Sequence, residues 1–197
     1  MEKPKFAPTK KGILAKEKIR AAALFLINEK GYAETTLVDI CQAAGIANGT
    51  FYHYFKSKQD ILLDYIKQES ADLTDYYAAL NKDSYAHALQ SVLDFQAEYY
   101  IRKGTEFVSN FYSIMLLSKD NFFRYEDFSL TGIIYDCLEK GQTSGEFTSS
   151  YPVTFMQDLT IGMLYSMTTI WCIAQGSLDL KSEMHDKFEN LISMFRR

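Results

Sequence analysis

The chain has 197 residues, 47% apolar and 23% charged, with a net charge of −4. That length allows one large or two small domains with a sizeable core, and the composition is that of a globular chain, not a disordered or disulfide-dense one. The longest mostly apolar run, Ile161–Ala174, falls short of the roughly 20 residues a membrane span needs. The opening "MEKPKFAPTKKG" lacks the apolar core of a signal peptide, so a cytoplasmic protein without a membrane partner is expected.

The charge is uneven. Residues 1–60 carry ten basic and six acidic side chains (+4), and residues 61–197 carry eleven and nineteen (−8). Such an asymmetry suggests that only the first part meets a polyanion. Cys41, Cys137 and Cys172 are odd in number and widely spaced, which fits a reducing compartment. Their apolar surroundings predict buried, inert thiols.

Residues 1–12 read as an arm bearing Lys3, Lys5, Lys10 and Lys11. In "AKEKIRAAALFLINEKG", Ile19, Ala22, Ala23, Leu26 and Ile27 recur at helical spacing, and Gly31 supplies a stop. In "TTLVDICQAAG", Thr36 and Asp39 form a capping-box pair, Leu37, Ile40, Cys41 and Ala44 make the apolar side, and Gly45 ends the helix.

The next stretch, "GIANGTFYHYFKSKQD", carries conflicting local signals. Asn48-Gly49 is a hairpin-turn pair, "FYHYF" has a strand's composition, and "NGT" is a glycosylation acceptor. A hairpin needs a preceding strand, and what precedes is a capped helix ending in glycine. A reducing compartment argues against the sugar. Read as a helix, Phe51 and Phe55 share one face, and Gly49, Tyr52, His53 and Lys56 lie roughly opposite. Ser57 and Asp60 then cap a further helix.

Two short helices about a glycine, braced by a longer one, make a helix-turn-helix, whose second helix enters the major groove. Phe51 and Phe55 suit its inner face. Asn48, Thr50, Tyr52, His53 and Tyr54 suit its outer face, and Gly49 lets backbone approach DNA closely.

The pattern "I..AA..LI.EKGY..TT..DI...AGI..GTFYHYFKSK..IL", from about Ile19 to Leu63, resembles the DNA-binding domain of the TetR family of transcriptional regulators. The resemblance implies an all-α fold: a three-helix head within 1–60 and a larger helical ligand-binding and dimerisation domain in 61–197. It also implies a homodimer on double-stranded operator DNA, in many members a repressor released by a small molecule. By position, Thr36 matches the residue that caps the second helix and binds a phosphate. Asn48, Gly49 and Thr50 match the start of the recognition helix, and Tyr52 the tyrosine whose hydroxyl meets the DNA backbone. His53 and Tyr54 fall at DNA-touching positions, and Lys58 matches a lysine that reaches a phosphate. Many members have Ser then Lys where this chain has Ala47 and Asn48, and Ala47 offers no side-chain cap.

Beyond residue 60, helices are predicted at 60–79, 84–101, 105–119, 127–140, 152–175 and 179–195, with "KGQTSGEF" as a glycine-rich break. Met156, Leu159, Met163, Met167, Ile170 and Ala174 alternate by three and four, as do Met184, Phe188, Leu191 and Phe195. In the family the last two long helices make a four-helix dimer interface, so Met163, Met167, Ile170, Phe188, Leu191 and Phe195 are the expected dimer contacts. Tyrosine suits a pocket with a few oriented hydrogen bonds. Eleven of the fourteen tyrosines lie after residue 60, and "FFRYEDF" is dense in aromatics. Tyr99, Phe107, Phe111, Tyr112, Met115, Tyr165 and Trp171 are the candidate lining for an unidentified small-molecule effector.

His53, His87 and His185 are scattered. There is no His-Glu-x-x-His, no Glu-x-x-His pair and no metal-spaced cysteine cluster, and "GQTSGE" lacks the Lys-Ser/Thr of a phosphate loop. No metal, cofactor or enzyme activity is therefore expected. The competing readings are a ligand-independent DNA-binding regulator or activator and, more remotely, a helical-bundle enzyme.

Overall fold

The computed structural model describes residues 10–117 and 129–197, with backbone alone at 66, 68, 69, 114–117 and 129. Among these there are eight helices and no strand: α1 Lys10–Lys30, α2 Leu37–Ala44, α3 Asn48–Phe51, α4 Lys58–Ala79, α5 Tyr85–Leu117, α6 Ser129–Thr143, α7 Val153–Ile173 and α8 Leu180–Phe195. They fall into two compact units, Met1–Ile66 and Lys67–Arg197, and the division lies inside α4. No helix among the described residues is long and apolar enough to cross a membrane.

The first unit is built by its caps. Gly31 adopts φ 85° beyond the end of α1 and returns its N–H to Ile27 O at 2.9 Å. At α2, Asp39 N–H donates to Thr36 Oγ1 (3.2 Å) and Thr36 N–H to Asp39 Oδ2 (2.9 Å), the complete capping box. The helix ends at Gly45 with φ 67°, where Gly45 and Ile46 N–H return to Gln42 and Cys41 carbonyls. Ile19, Ala23, Ile40, Cys41, Phe51, Phe55 and Ile61 form the buried core between these elements. Removing a buried Phe from such a core costs about 3–5 kcal/mol, so Phe51 and Phe55 hold α3 in place.

The second unit packs α5 against α6, α7 and α8, with further contacts of α7 to α6 and α8. Leu89, Val92, Leu93, Ile134, Leu138, Met156, Leu164, Met184 and Phe188 fill its interior. The two helices predicted at 84–101 and 105–119 are continuous by hydrogen bonding but kinked at Gly104, whose φ 80°, ψ 160° is not helical; residues 118 and 119 lie outside the described residues. The start of the helix predicted at 127–140 and the "FFRYEDF" segment also lie outside them.

The last two helices place their apolar residues differently from the expected dimer seam. Met167, Phe188, Leu191 and Phe195 are buried in the chain's own core, Met163 is half-buried, and Ile170 is exposed. Apolar residues spaced by three and four mark the face a helix buries, and the spacing is the same whether the neighbour is its own chain or a partner.

Candidate DNA-binding face and effector cavity

The recognition element is short. Ala47, in extended backbone (φ −74°, ψ 148°), precedes α3 and supplies no side-chain cap. Thr50 N–H returns to Ala47 O at 2.9 Å, and turn hydrogen bonds from His53, Tyr54 and Phe55 carry the coil on to Phe55. The Phe51 and Phe55 rings are buried, 6.0 Å apart. Tyr52 sets its ring edge-on to Phe51 at 5.5 Å and is 61% exposed, so its hydroxyl end points away from the core. Asn48, Gly49 and His53 are exposed and Thr50 is half-buried. Tyr54 packs partly buried against the core cluster. Five of the six expected positions in this element thus have accessible surface away from the core, whereas Tyr54 contributes to packing.

Thr36 is exposed at the start of α2 with its oxygen already accepting from Asp39 N–H, which leaves its hydroxyl proton to give. Asp39 is also bonded by Lys30 Nζ at 2.6 Å. That bond, followed by those from Thr36, holds the Asp39 carboxyl far below the usual carboxylate range. The pair fastens the end of α1 to the start of α2.

Lys58 is placed unlike a free phosphate ligand. Its ammonium donates to the Tyr32 carbonyl and to Thr35 O (2.7 Å), and sits 4.0 Å from the centre of the Tyr32 ring. Burial lowers its pKa. The side chain ties the first residue of α4 to the loop before α2, with one N–H left. Lys56 remains exposed beside α3.

The second unit contains a cavity of about 430 Å3 lined by Ser109, Tyr112 and Ser113 from α5 and Tyr165, Thr169, Cys172 and Ile173 from α7. None of these side chains is charged. Tyr112 OH donates to Tyr100 OH at 3.3 Å, and the Tyr112 ring meets Tyr165 edge-on at 5.5 Å. Burial pushes the Tyr112 hydroxyl up to about 12, against hydrogen bonds with Tyr100 and Thr168 that favour its ionised form. Tyr100 is likewise raised well above the usual tyrosine value, again chiefly by burial. Both stay neutral, so the cavity offers hydroxyls and apolar surface.

Tyr112 and Tyr165 are the expected lining residues that reach this cavity. Tyr99, Phe107 and Trp171 are buried in the core around it, Phe111 sets its ring 5.7 Å from Tyr112, and the Met115 side chain lies outside the described residues. Ser109, Ser113, Thr169, Cys172 and Ile173 were not among the expected residues, although 109, 112 and 113, and 165, 169, 172 and 173, share helix faces. Cys172 is half-buried on the cavity wall, unlike buried Cys41 and Cys137, and burial raises all three thiols.

Residues 19–65 match the family model "Bacterial regulatory proteins, tetR family". The Fatty acid metabolism regulator protein of Bacillus subtilis is 23% identical over 176 residues, covering 87% of this chain and 91% of that protein. A second regulator of that organism, HTH-type YvdT, is 48% identical over 46 residues, 24% of its length. Among solved structures, Thermus thermophilus FadR, a TetR-family transcriptional repressor in complex with lauroyl-CoA, superposes with TM-score 0.72 at 24% identity over 92% of this chain and 96% of that one. B. subtilis FadR in complex with stearoyl-CoA gives 0.73 at 22% identity over 90% and 97%. With its aromatic pair facing inward and its polar residues facing outward, the helix-turn-helix within residues 19–65 is a TetR-family DNA-binding domain, followed in the chain by a larger helical unit, and the protein is a DNA-binding transcriptional regulator.

Proposed function

We propose that the chain is a cytoplasmic repressor that binds a palindromic operator as a homodimer and leaves it when a small effector occupies the cavity between α5 and α7. The carrying observation is the division of residues 48–55: Phe51 and Phe55 are locked in the core, while Asn48, Gly49, Tyr52 and His53 stand exposed. Thr36, Asn48, Gly49, Thr50, Tyr52 and His53 are the proposed contact set, with the helix-turn-helix in the major groove. Tyr54 and Lys58 shape that surface through packing and through the Tyr32–Thr35 loop. Two heads on one operator need recognition helices about 34 Å apart, one turn of DNA, or a multiple of it.

The proposed effector-binding residues begin with Tyr112 and Tyr165. The lining is uncharged, so the part of the effector it encloses is apolar with hydroxyl-bonding groups. A repressor of this fold is complexed with lauroyl-CoA and a transcriptional regulator of this fold with stearoyl-CoA, which supports an acyl chain as that enclosed part. Releasing an almost fully bound operator requires an effector preference of about 10⁴-fold for the released form. The proposed coupling element is α4, the helix that runs across the division between the two units.

Titration of operator DNA with acyl-CoA thioesters of increasing chain length tests this reading. Weakened binding that depends on chain length supports it. Operator affinity that no thioester or free acid changes removes the effector-released part and leaves a DNA-binding regulator.

A further inference from the structure

One exposed strip of α7 is apolar, with Asp158 and Thr169 exposed along its edge. Phe155, Leu159, Ile170 and Ile173 are 46, 41, 52 and 77% exposed, with Gly162 and Ser166 exposed between them. At 100° per residue these six positions fall within about 80° of arc along about 27 Å of helix. Met156, Thr160, Leu164 and Trp171 occupy the opposite, buried side. A single exposed apolar residue is ordinary, but an uncharged row of four is the mark of an interaction surface.

The order of sizes along the row reads the same in both directions: large, large, small, small, large, large. A two-fold interface needs a face complementary to itself, and this pattern has that property. An antiparallel second copy, crossing between Gly162 and Ser166, brings the partner's Phe155 to Ile173 and the partner's Leu159 to Ile170. At the centre, a β-carbon built on Gly162 meets nothing within 4 Å of its own chain, so there is room for the approaching helix.

The same face borders the cavity. Thr169 and Ile173 are cavity walls, yet Ile173 is the most exposed large apolar side chain among the described residues. The cavity wall is therefore also the edge of the self-complementary row. We infer that the effector cavity of each protomer is completed by the partner's Phe155, seated on Ile173, so that the site is whole only in the dimer. The inference rests on reading the cavity as the effector site. It links two equilibria: a ligand that fills the completed cavity binds the dimer in preference to the monomer and so tightens it.

The test uses full-length protein, sedimentation velocity, and the neutral fluorophore N-phenyl-1-naphthylamine as probe, with iodide as aqueous quencher. Wild-type protein is expected to sediment as a dimer at micromolar concentration and to hold the probe shielded from iodide. Ile170→Glu is expected to keep its helical circular dichroism, sediment as a monomer and bind the probe about tenfold more weakly. Phe155→Ala, which trims a side chain exposed in its own chain, is expected to stay dimeric, bind the probe about fivefold more weakly and admit iodide. An Ile170→Glu protein that is still dimeric overturns the proposed face. A monomeric Ile170→Glu protein, or a Phe155→Ala dimer, that binds and shields the probe like wild type overturns completion by the partner. A wild-type dimer that takes up no probe instead overturns the effector-site reading on which the inference stands.

Discussion

Gly141 lies directly against the ring of Phe147: a β-carbon built on it would stand 2.2 Å from the ring's Cδ2 and 2.5 Å from its Cε2. Phe147 is buried and meets Phe195 edge-on at 6.5 Å, and its N–H donates to Gly141 O at 2.9 Å. The ring is thus confined from several sides, and an added methyl group cannot be accommodated by a small rotation. Gly141→Ala is expected to destabilise the α5–α8 unit by about 1–3 kcal/mol, the usual cost of overpacking. Urea denaturation would show this, and Phe147→Leu in the same chain should recover part of the loss. An unchanged midpoint in Gly141→Ala would mean the ring has room to move.

Glu146, one residue earlier, caps a helix that begins 61 residues before it. Its carboxylate accepts from Ser84 Oγ (2.5 Å), Tyr85 N–H (2.7 Å) and Ala86 N–H (3.3 Å) at the start of α5. Burial raises its pKa, but these hydrogen bonds together outweigh burial and bring it below the usual glutamate value. A carboxyl with a depressed folded-state pKa contributes stability above its unfolded pKa and loses it as pH falls through the folded one. Glu146→Ala should therefore cost about 1.5–3 kcal/mol at neutral pH, as for hydrogen bonds to a charged group. The gap to wild type should close below about pH 4, near the glutamate reference value. Denaturation midpoints of both proteins across pH 3–7, a span set around that reference, check the sign; a gap that widens in acid would refute the assignment.

Lys58 separates two roles that coincide in sequence. Its ammonium already serves the Tyr32 and Thr35 carbonyls, and charge-assisted hydrogen bonds of this kind are worth about 1.5–3 kcal/mol. Lys58→Met, which keeps the stem and removes the charge, is expected to lower the stability of the helix-turn-helix unit by about that order. Operator affinity should fall with it. Hydrogen exchange at α2 amides gives the discriminating measurement: faster exchange in the free protein marks the structural tie. Weakened DNA binding with unchanged exchange would return Lys58 to the role of a simple phosphate contact.

The head was legible in sequence because its signals are short-range. Thr36, Asp39 and Gly45 stand within ten residues and fix α2, and Phe51 and Phe55 fix the inner face of the next turn whatever their own strand propensity. Lys58 and Tyr54 were less legible because their partners are set by the tertiary fold: Lys58 finds carbonyls 23 and 26 residues away. In the larger unit, spacing located the helices well, and Gly104 fell at the expected break. Spacing could not tell Phe188, Leu191 and Phe195, which line the chain's own core, from Ile170, which faces outward. The cavity was half legible. Tyr112 and Tyr165 stood out by residue type, whereas Ser109, Ser113 and Thr169 are small polar residues that line a wall only because α5 and α7 meet there.

Tyr52 and Asn48 distinguish backbone contact from base reading. Tyr52→Phe keeps the edge-on packing against Phe51 and removes only an exposed hydroxyl, so folding stability should not change. If that hydroxyl meets a phosphate, operator and non-specific DNA should weaken alike, by about 0.5–1.5 kcal/mol, the net worth of one hydrogen bond. Asn48→Ala takes away the one amide side chain at the start of α3. Ala47 before it has no side-chain oxygen, so Asn48 is the polar group closest to that helix end and the substitution should also be checked for stability. Where Asn48 reads a base, the loss should be about 1–3 kcal/mol on the cognate operator and much smaller on non-specific DNA, with relaxed choice at one base pair. Binding to a library randomised at single operator positions measures both effects. Equal losses on every sequence for Asn48→Ala would place it, like Tyr52, on the DNA backbone and shift base reading to His53 and Thr50.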